Sequence, residues 1–266
     1  MKTKPITVPE IMQRKGKRKI VMLTAYDCIF SRILDACDID VILVGDSVGP
    51  ATLGLPSTLQ VTMQSMLLHT AAVSRGVNHA VIIGDMPFGS YHVSLEETIR
   101  NAIAFIQAGA HGVKIEGAAY LDRISALVHA GIPVMGHVGL TPQSIHVFGG
   151  YRVQGRGESA RDRIVRDAQE IEQAGAFALV IEGVPPSLAE LITKSISIPT
   201  IGIGAGPSCD GQVLVLTDLL GLDPDFKPKF VKSYAQLHDL VKEAVQAYRD
   251  DVREGRYPSS EYCYEE

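Results

Sequence analysis

Tryptophan is absent from these 266 residues, and aromatic side chains make up only 6% of the chain. No apolar run is long enough to span a bilayer, so the sequence reads as a globular protein with no membrane partner. Cysteine is sparse as well. Cys28, Cys37, Cys209 and Cys263 form no C-x-x-C pair and have no histidine at ligand spacing, which argues against both a zinc site and a disulfide framework. A reducing cytoplasm is the expected location. A large excess of either charge is missing too: the net charge is -5 with both signs dispersed, so nucleic acid is not expected as a partner. Basic residues concentrate only near the start, at Lys2, Lys4, Arg14, Lys15, Lys17, Arg18 and Lys19. That stretch lacks the apolar core of a secretory signal, and Pro5, Pro9 and Glu10 fit a transit peptide poorly. A solvated helix is the expectation, opened by a capping box from Thr7 to Glu10.

Strand-like and helix-like stretches alternate throughout. Strands are expected near 20–25, 41–45, 80–84, 112–116, 133–138, 178–182, 199–203 and 212–217. Eight strands, each followed by a helical stretch, in a chain of this length point to a single-domain α/β fold, the (β/α)8 or TIM barrel. Between the strands lie amphipathic stretches such as 94–108, which opens with Ser94 and Glu97 and carries Ile99, Ile103 and Ile106. An internal repeat agrees: A-G-A-x-x-x-x-I-E-G occurs at Ala108–Gly117 and Ala174–Gly183, and I-P-x-x-G recurs at Ile132–Gly136 and Ile198–Gly202 at the same offset. No Pro- or Ser-rich linker interrupts the pattern. The expected organisation is a basic helical extension over 1–19, a catalytic barrel over 20–254 and a tail over 255–266.

Four apolar runs end in a carboxylate: Asp46, Asp85, Glu116 and Glu182. Acids at the C-terminal tips of buried strands stand where such barrels assemble active sites. Strand parity places Val44 with Asp46, Ile83 with Asp85, Lys114 with Glu116 and Val180 with Glu182 on the inner face, and Leu43, Ile115 and Ile181 on the outer. Facing carboxylates in a partly closed cavity call for a cation. Asp46, Asp85 and Glu116 offer only oxygen, which favours a hard ion such as magnesium. Capping of helices or pairing with arginines is the competing structural reading for any one of these acids. Glu182, across the barrel, suits a general base, and Lys114 suits stabilisation of developing negative charge. A salt bridge from Lys114 to Glu116 is the structural alternative. Ser47 offers a hydroxyl and an N–H to an anion, or a helix cap. His137 reads equally as a core histidine or a substrate contact, and His69 reads as packing. Thr200, Gly202, Gly204 and Gly206 share one strand face, where glycines allow close packing or close approach to a ligand. The long connection Gly139–Glu158 is a candidate lid hinged at Gly149, Gly150, Gly155 and Gly157.

Taken in order, the motifs VGDS (44–47), STLxVT (57–62), HTAAVSRG (69–76), GDMPF (84–88), VKIEG (113–117), GHVGLTPQS (136–144), GGYRVQGRG (149–157) and IGIGAG (201–206) resemble those of the ketopantoate hydroxymethyltransferases. The resemblance runs from about Ile20 to Pro258 and departs at Pro50, Gln60 and Gly183, positions that bear on pocket shape. It implies a (β/α)8 barrel, one Mg2+ per subunit, and transfer of a hydroxymethyl group from 5,10-methylenetetrahydrofolate to 3-methyl-2-oxobutanoate through a metal-stabilised enolate. The product would be ketopantoate, on the route to pantothenate and coenzyme A. By motif, Asp46 and Ser47 would hold metal and substrate, Asp85 would join them, Lys114 would bind substrate, Glu116 would belong to the metal shell, and Glu182 would accept the proton. The resemblance also implies a homo-oligomer built as a ring of dimers, with a decamer as the candidate size; the apolar stripe Leu237, Leu240, Val241, Val245 and Tyr248 within 233–253 is compatible with that. Two rival readings remain: a magnesium-dependent carbon–carbon lyase acting on 2-oxo acids without folate, and a ligand-binding barrel without catalysis. The full set of acid and lysine positions speaks against the second.

Overall fold

A computed structural model describes residues 4–265; Lys2 and the outermost ends of the expected extension and tail lie outside the described residues. The β-branched runs form eight strands: β1 (Ile20–Thr24), β2 (Val41–Val44), β3 (Val81–Asp85), β4 (Gly112–Lys114), β5 (Val134–Gly139), β6 (Ala178–Glu182), β7 (Thr200–Ile203) and β8 (Gly211–Leu214). Each pairs in parallel with the next, and β8 closes on β1. The fold is a (β/α)8 barrel. Helices α1 (Val8–Met12), α2 (Cys28–Ala36), α3 (Val48–Thr52), α4 (Met63–Ser74), α5 (Leu95–Gln107), α6 (Leu121–His129), α7 (Ile145–Phe148), α8 (Glu158–Gln173) and α9 (Pro186–Ser195) accompany the strands. The internal repeat maps β4 and β5 onto β6 and β7.

The barrel interior is filled by Ile20, Met22, Val41, Leu43, Val81, Ile83, Met135, Ala178, Val180, Ile201 and Val213. This corrects the expected parity of β2. Val41 and Leu43 face inward there, so Val44 does not. Asp46 reaches the interior because the chain leaves the strand at Val44 and turns, with the Val48 N–H donating to the Gly45 carbonyl and the Gly49 N–H to that of Asp46. In β7, Ile201 and Ile203 pack inward, so the face expected to be shared by Thr200 and Gly202 is the outer one. Thr200 and Gly202 therefore face the other way, toward Asp210 and Cys209. Helix α5 begins as expected, with Ser94 accepting from the Glu97 N–H. Its buried face, however, is Thr98, Ala102 and Phe105, while Ile103 and Ile106 are exposed. Phe105 sits over the outer side of β3 at Gly84, where an added Cβ would come within 2.3 Å of the ring. Only glycine admits that approach.

The N-terminal segment is more than a solvated helix. The capping box forms, with the Glu10 N–H bound to the Thr7 hydroxyl and the Thr7 N–H to Glu10. Ile11 is fully buried in the barrel cluster, with Ile6 and Val8 packed against it, so the segment stoppers the N-terminal end of the barrel. Its basic residues tie down the strand starts beneath. Arg14 pairs with Asp40, and Lys15 binds Asp210 at 2.9 Å. Asp40 in turn accepts the Val21 N–H, and Asp210 the N–H groups of Gly16 and Thr200.

The compact unit that holds the barrel ends at Val215, whereas the expected barrel domain ran to 254; the residues from Leu216 onward group separately. That second unit contains α10 (Leu216–Leu220) and α11 (Leu237–Arg253). No residue of α11 is buried, and Leu240, Val241, Val245 and Tyr248 are exposed. Among the described residues no helix is long and apolar enough to cross a membrane. The four cysteines are free.

Truncating Ile11 to Ala leaves a cavity against the barrel floor and is expected to lower stability by about 2–5 kcal/mol, the usual cost of removing a buried aliphatic side chain. Urea denaturation checks it: an unchanged midpoint would return the segment to a solvated role.

Candidate active site

Parallel pairing puts Asp85 and Lys114 opposite one another on β3 and β4. Their side chains meet at the barrel mouth, with Lys114 Nζ 2.8 Å from Asp85 Oδ1 and 3.4 Å from Glu116 Oε1. All three are buried. Glu116 lies just past the end of β4 and keeps the parity of Lys114, which satisfies both the structural reading of that lysine and the expected convergence. Asp46 enters from the turn after β2, and its backbone N–H approaches Asp85 Oδ2 at 3.3 Å. Glu182, at the tip of β6, stands apart and meets the group through His137. The imidazole lies between the two acids, with Nδ1 3.3 Å from Glu116 and Nε2 3.3 Å from Glu182.

One residue that the sequence reading did not single out ties these acids together. Gln143 follows β5 in a short 3-10 turn, and its backbone N–H donates to Glu116 Oε2 at 3.0 Å. Its amide nitrogen donates to Asp46 Oδ2 and to the Met86 carbonyl, at 2.9 and 3.0 Å. Its amide oxygen accepts from the Tyr91 hydroxyl at 2.7 Å. No local pattern announces this, because its partners come from three different loops.

The electrostatics divide the acids. Burial, reinforced by the charges of Asp85 and Glu116, pushes Asp46 well above the usual carboxylate range. Burial also raises Asp85, against the pull of Lys114. Glu116 goes the other way: burial opposes its charge, but Lys114, His137 and the Gln143 N–H outweigh it and hold the carboxyl down at about 2. Burial likewise opposes the Lys114 ammonium, and Asp85, Glu116 and Asp46 together keep it charged, above its ordinary value. For His137, burial and Lys114 disfavour the imidazolium, yet the carboxylates of Glu116 and Glu182, each 3.3 Å from a ring nitrogen, leave it raised.

These side chains line a cavity of about 110 Å³ with Thr24, Ser47 and Thr58, above an apolar wall that includes Leu43, Val180, Ile203 and Val213. Ser47 makes no helix cap; its hydroxyl is hydrogen bonded to that of Tyr26 at 2.8 Å. His69 is a packing residue, bonded to the Tyr26 carbonyl. The connection after β5 is not structureless, since it holds the 3-10 turn and α7. The Tyr151 phenol on it is raised by burial first and then by Asp46, Glu182 and Glu116, which puts it within the field of the acids. Pro50 and Gln60 are exposed, and Gly183 takes a positive φ of 58°.

A family model described as ketopantoate hydroxymethyltransferase matches residues 5–260. The chain belongs to the ketopantoate hydroxymethyltransferase family. A curated relative from Clostridium novyi, named 3-methyl-2-oxobutanoate hydroxymethyltransferase, is 53% identical over 261 residues, covering 97% of this chain and 95% of the relative. Among solved structures, the fold is similar to 2,3-dimethylmalate lyase, a member of the PEP mutase/isocitrate lyase superfamily, with a TM-score of 0.63 at 15% identity over 97% of this chain and 89% of that one. Phosphonopyruvate hydrolase, solved in complex with oxalate and Mg++, also gives 0.63, at 14% identity over 96% and 93%. At those identities the likeness is one of fold. The ketopantoate hydroxymethyltransferase relationship rests on the sequence itself, across nearly the whole chain.

In this ketopantoate hydroxymethyltransferase family member, replacing Lys114 with Met leaves buried carboxylates without their ammonium. Stability near pH 8 is expected to fall by about 3–5 kcal/mol, as when one partner of a buried pair is removed. The loss should shrink toward pH 5. Acids raised by burial contribute their stability below the unfolded-state pKa and lose it as pH rises through the folded one. Denaturation of the variant and the parent at both pH values, without divalent ion, reads this out; an equal loss at both would count against the buried-pair assignment.

Proposed function

We propose that the protein transfers a hydroxymethyl group from 5,10-methylenetetrahydrofolate to 3-methyl-2-oxobutanoate, giving ketopantoate for pantothenate and coenzyme A synthesis. The observation that carries this reading is the buried cluster of Asp46, Asp85, Glu116 and Lys114, with Glu182 held apart from it by His137. Proton abstraction beside a carbonyl needs positive charge at the oxygen and a separate base, and this arrangement offers both.

A divalent cation fits the donor set. Three buried carboxylates face a single ammonium, and two of them are pushed toward the neutral form, so a dication would complete the charge balance. Among the described residues no three His, Cys, Asp or Glu side chains are arranged as a metal cage. Magnesium is compatible with that, since it is commonly held by one or two carboxylates with water and substrate oxygens. Asp46 and Asp85 would hold it, with Glu116 in the surrounding shell. When bound, it would act as a Lewis acid on the oxo-acid oxygens.

The chain's own residues do the rest. The apolar wall of Leu43, Val180, Ile203 and Val213 receives the branched alkyl group, and Ser47 offers a hydroxyl to the carboxylate end. Glu182, its carboxylate 3.3 Å from His137 Nε2, takes the proton from carbon three. Lys114 holds positive charge beside the keto oxygen, where negative charge develops. Water hydrolyses the donor's methylene bridge: both C–N bonds break, the water's two protons go to the folate nitrogens and its oxygen stays on the one-carbon unit. Carbon three then bonds to that carbon, and the proton held by Glu182 passes to the resulting alkoxide. Family membership favours this over the lyase reading.

In heavy water with magnesium and 3-methyl-2-oxobutanoate, the protein is expected to exchange the carbon-three proton, and to form product only when the folate donor is added. Glu182→Gln should slow both by roughly 10² to 10⁴, the range for a lost general base, while keeping oxo-acid binding. Exchange at the parental rate in the Gln variant would reassign the base, and product without the folate would favour the lyase.

We also propose a cytoplasmic homo-oligomer, a ring of dimers up to a decamer. The four free cysteines agree with a reducing compartment, and the exposed apolar residues of α11 agree with burial against another chain. Light scattering at micromolar concentration should give a mass several times 28.7 kDa; a single-chain mass throughout a dilution series would refute it.

A further inference from the structure

Three buried polar atoms of the described cavity-lining residues have no hydrogen-bond partner; Asp85 Oδ1 and His137 Nε2 lie at ion-pair distance from Lys114 and Glu182, whereas the Thr58 hydroxyl has neither kind of contact. Thr58 opens a 3-10 turn (Thr58–Gln60) within the STLxVT motif, is only 4% exposed and lines the cavity beside Asp46 and Ser47. Its hydroxyl is buried without a hydrogen-bond partner among the described residues. The polar groups around it are engaged. Asp46 is held by Gln143, Asp85 and Glu116 by Lys114, and the Ser47 hydroxyl by Tyr26. A buried hydroxyl left unpaired weakens a fold, and such a group asks for an explanation.

We infer that Thr58 is a substrate-binding residue whose hydroxyl donates a hydrogen bond to the carboxylate of the bound 2-oxo acid. The inference rests on the oxo-acid reading proposed above. In a cavity lined by acids, an incoming carboxylate finds few donors, and its oxygens carry more lone pairs than a single cation can take up. The Lys114 ammonium is already committed to Asp85 and Glu116. Thr58 and Ser47, on consecutive segments after β2, both line the cavity, as do the aliphatic side chains of Leu43, Val180, Ile203 and Val213 that would meet the alkyl group. A bound oxo-acid carboxylate would supply the partner that the described residues do not.

Replacement of Thr58 by Val keeps the shape and deletes the hydroxyl, so stability and binding should move differently. Without ligand, the unfolding midpoint of Thr58→Val should equal or exceed that of the parent. With magnesium present, calorimetry should show its affinity for 3-methyl-2-oxobutanoate reduced about tenfold, as for loss of a hydrogen bond to a charged group. Thr58→Ser should restore most of it. Parental affinity within twofold in Thr58→Val overturns the inference, as does a lowered midpoint, which would mean the hydroxyl is already satisfied in the free protein. No oxo-acid binding by the unmodified protein would overturn the functional reading and this inference with it.

Discussion

Lys114 and Asp85 stand opposite each other on adjacent strands, and the 2.8 Å contact between them is made with both side chains out of water. Removing charge from water is costly, and the cost is offset only when opposite charge and hydrogen bonds replace the lost solvent. The barrel mouth is built around that requirement. Glu116 adds a second negative partner, His137 and the Gln143 N–H share it, and the Gln143 amide reaches across to Asp46. One ammonium among so many acids leaves Asp46 and Asp85 short of positive charge. That shortfall is what makes the cluster a candidate cation site and not merely a buried ion pair.

The two ends of the barrel use similar residues for opposite purposes. At the floor, Asp40 and Asp210 are matched by Arg14 and Lys15 and also accept backbone N–H groups at strand starts, so each charge is balanced where it stands. Ile11 closes that end against water. At the mouth, the acids outnumber their partners, the Thr58 hydroxyl is unpaired, and a cavity remains. Stability is concentrated at one end and reactivity at the other, as the strand-tip placement of active sites in this fold leads one to expect.

Gln143 and Tyr91 connect loops that share no sequence proximity. Because the Gln143 amide binds Asp46 and Met86 through its nitrogen and Tyr91 through its oxygen, its orientation is set on every side. The connection after β5 is thereby anchored at its start to the carboxylate cluster, while farther along it Val147 and Tyr151 are exposed. A firm base beneath an exposed span lets such a segment sit over a site without disturbing the groups that line it.

The run of β-branched segments, the repeated A-G-A-x-x-x-x-I-E-G and the acids at strand ends were enough to determine the eight-stranded barrel and to bring Asp85, Lys114, Glu116 and Glu182 to one face, because alternation along a strand is a local rule. The rule failed where the backbone ceased to be a strand. Asp46 arrives through a turn, so counting back from it put Val44 inside in place of Leu43. It also failed in α5, where apolar spacing suggested Ile103 and Ile106 but the gap at Gly84 chose Phe105. The burial of Ile11, the bridging by Gln143 and the unpaired hydroxyl of Thr58 were decided only in three dimensions. Each depends on partners supplied by distant segments, and whether a side chain is paired, buried or left wanting is a property of the neighbours that the closed barrel brings to it.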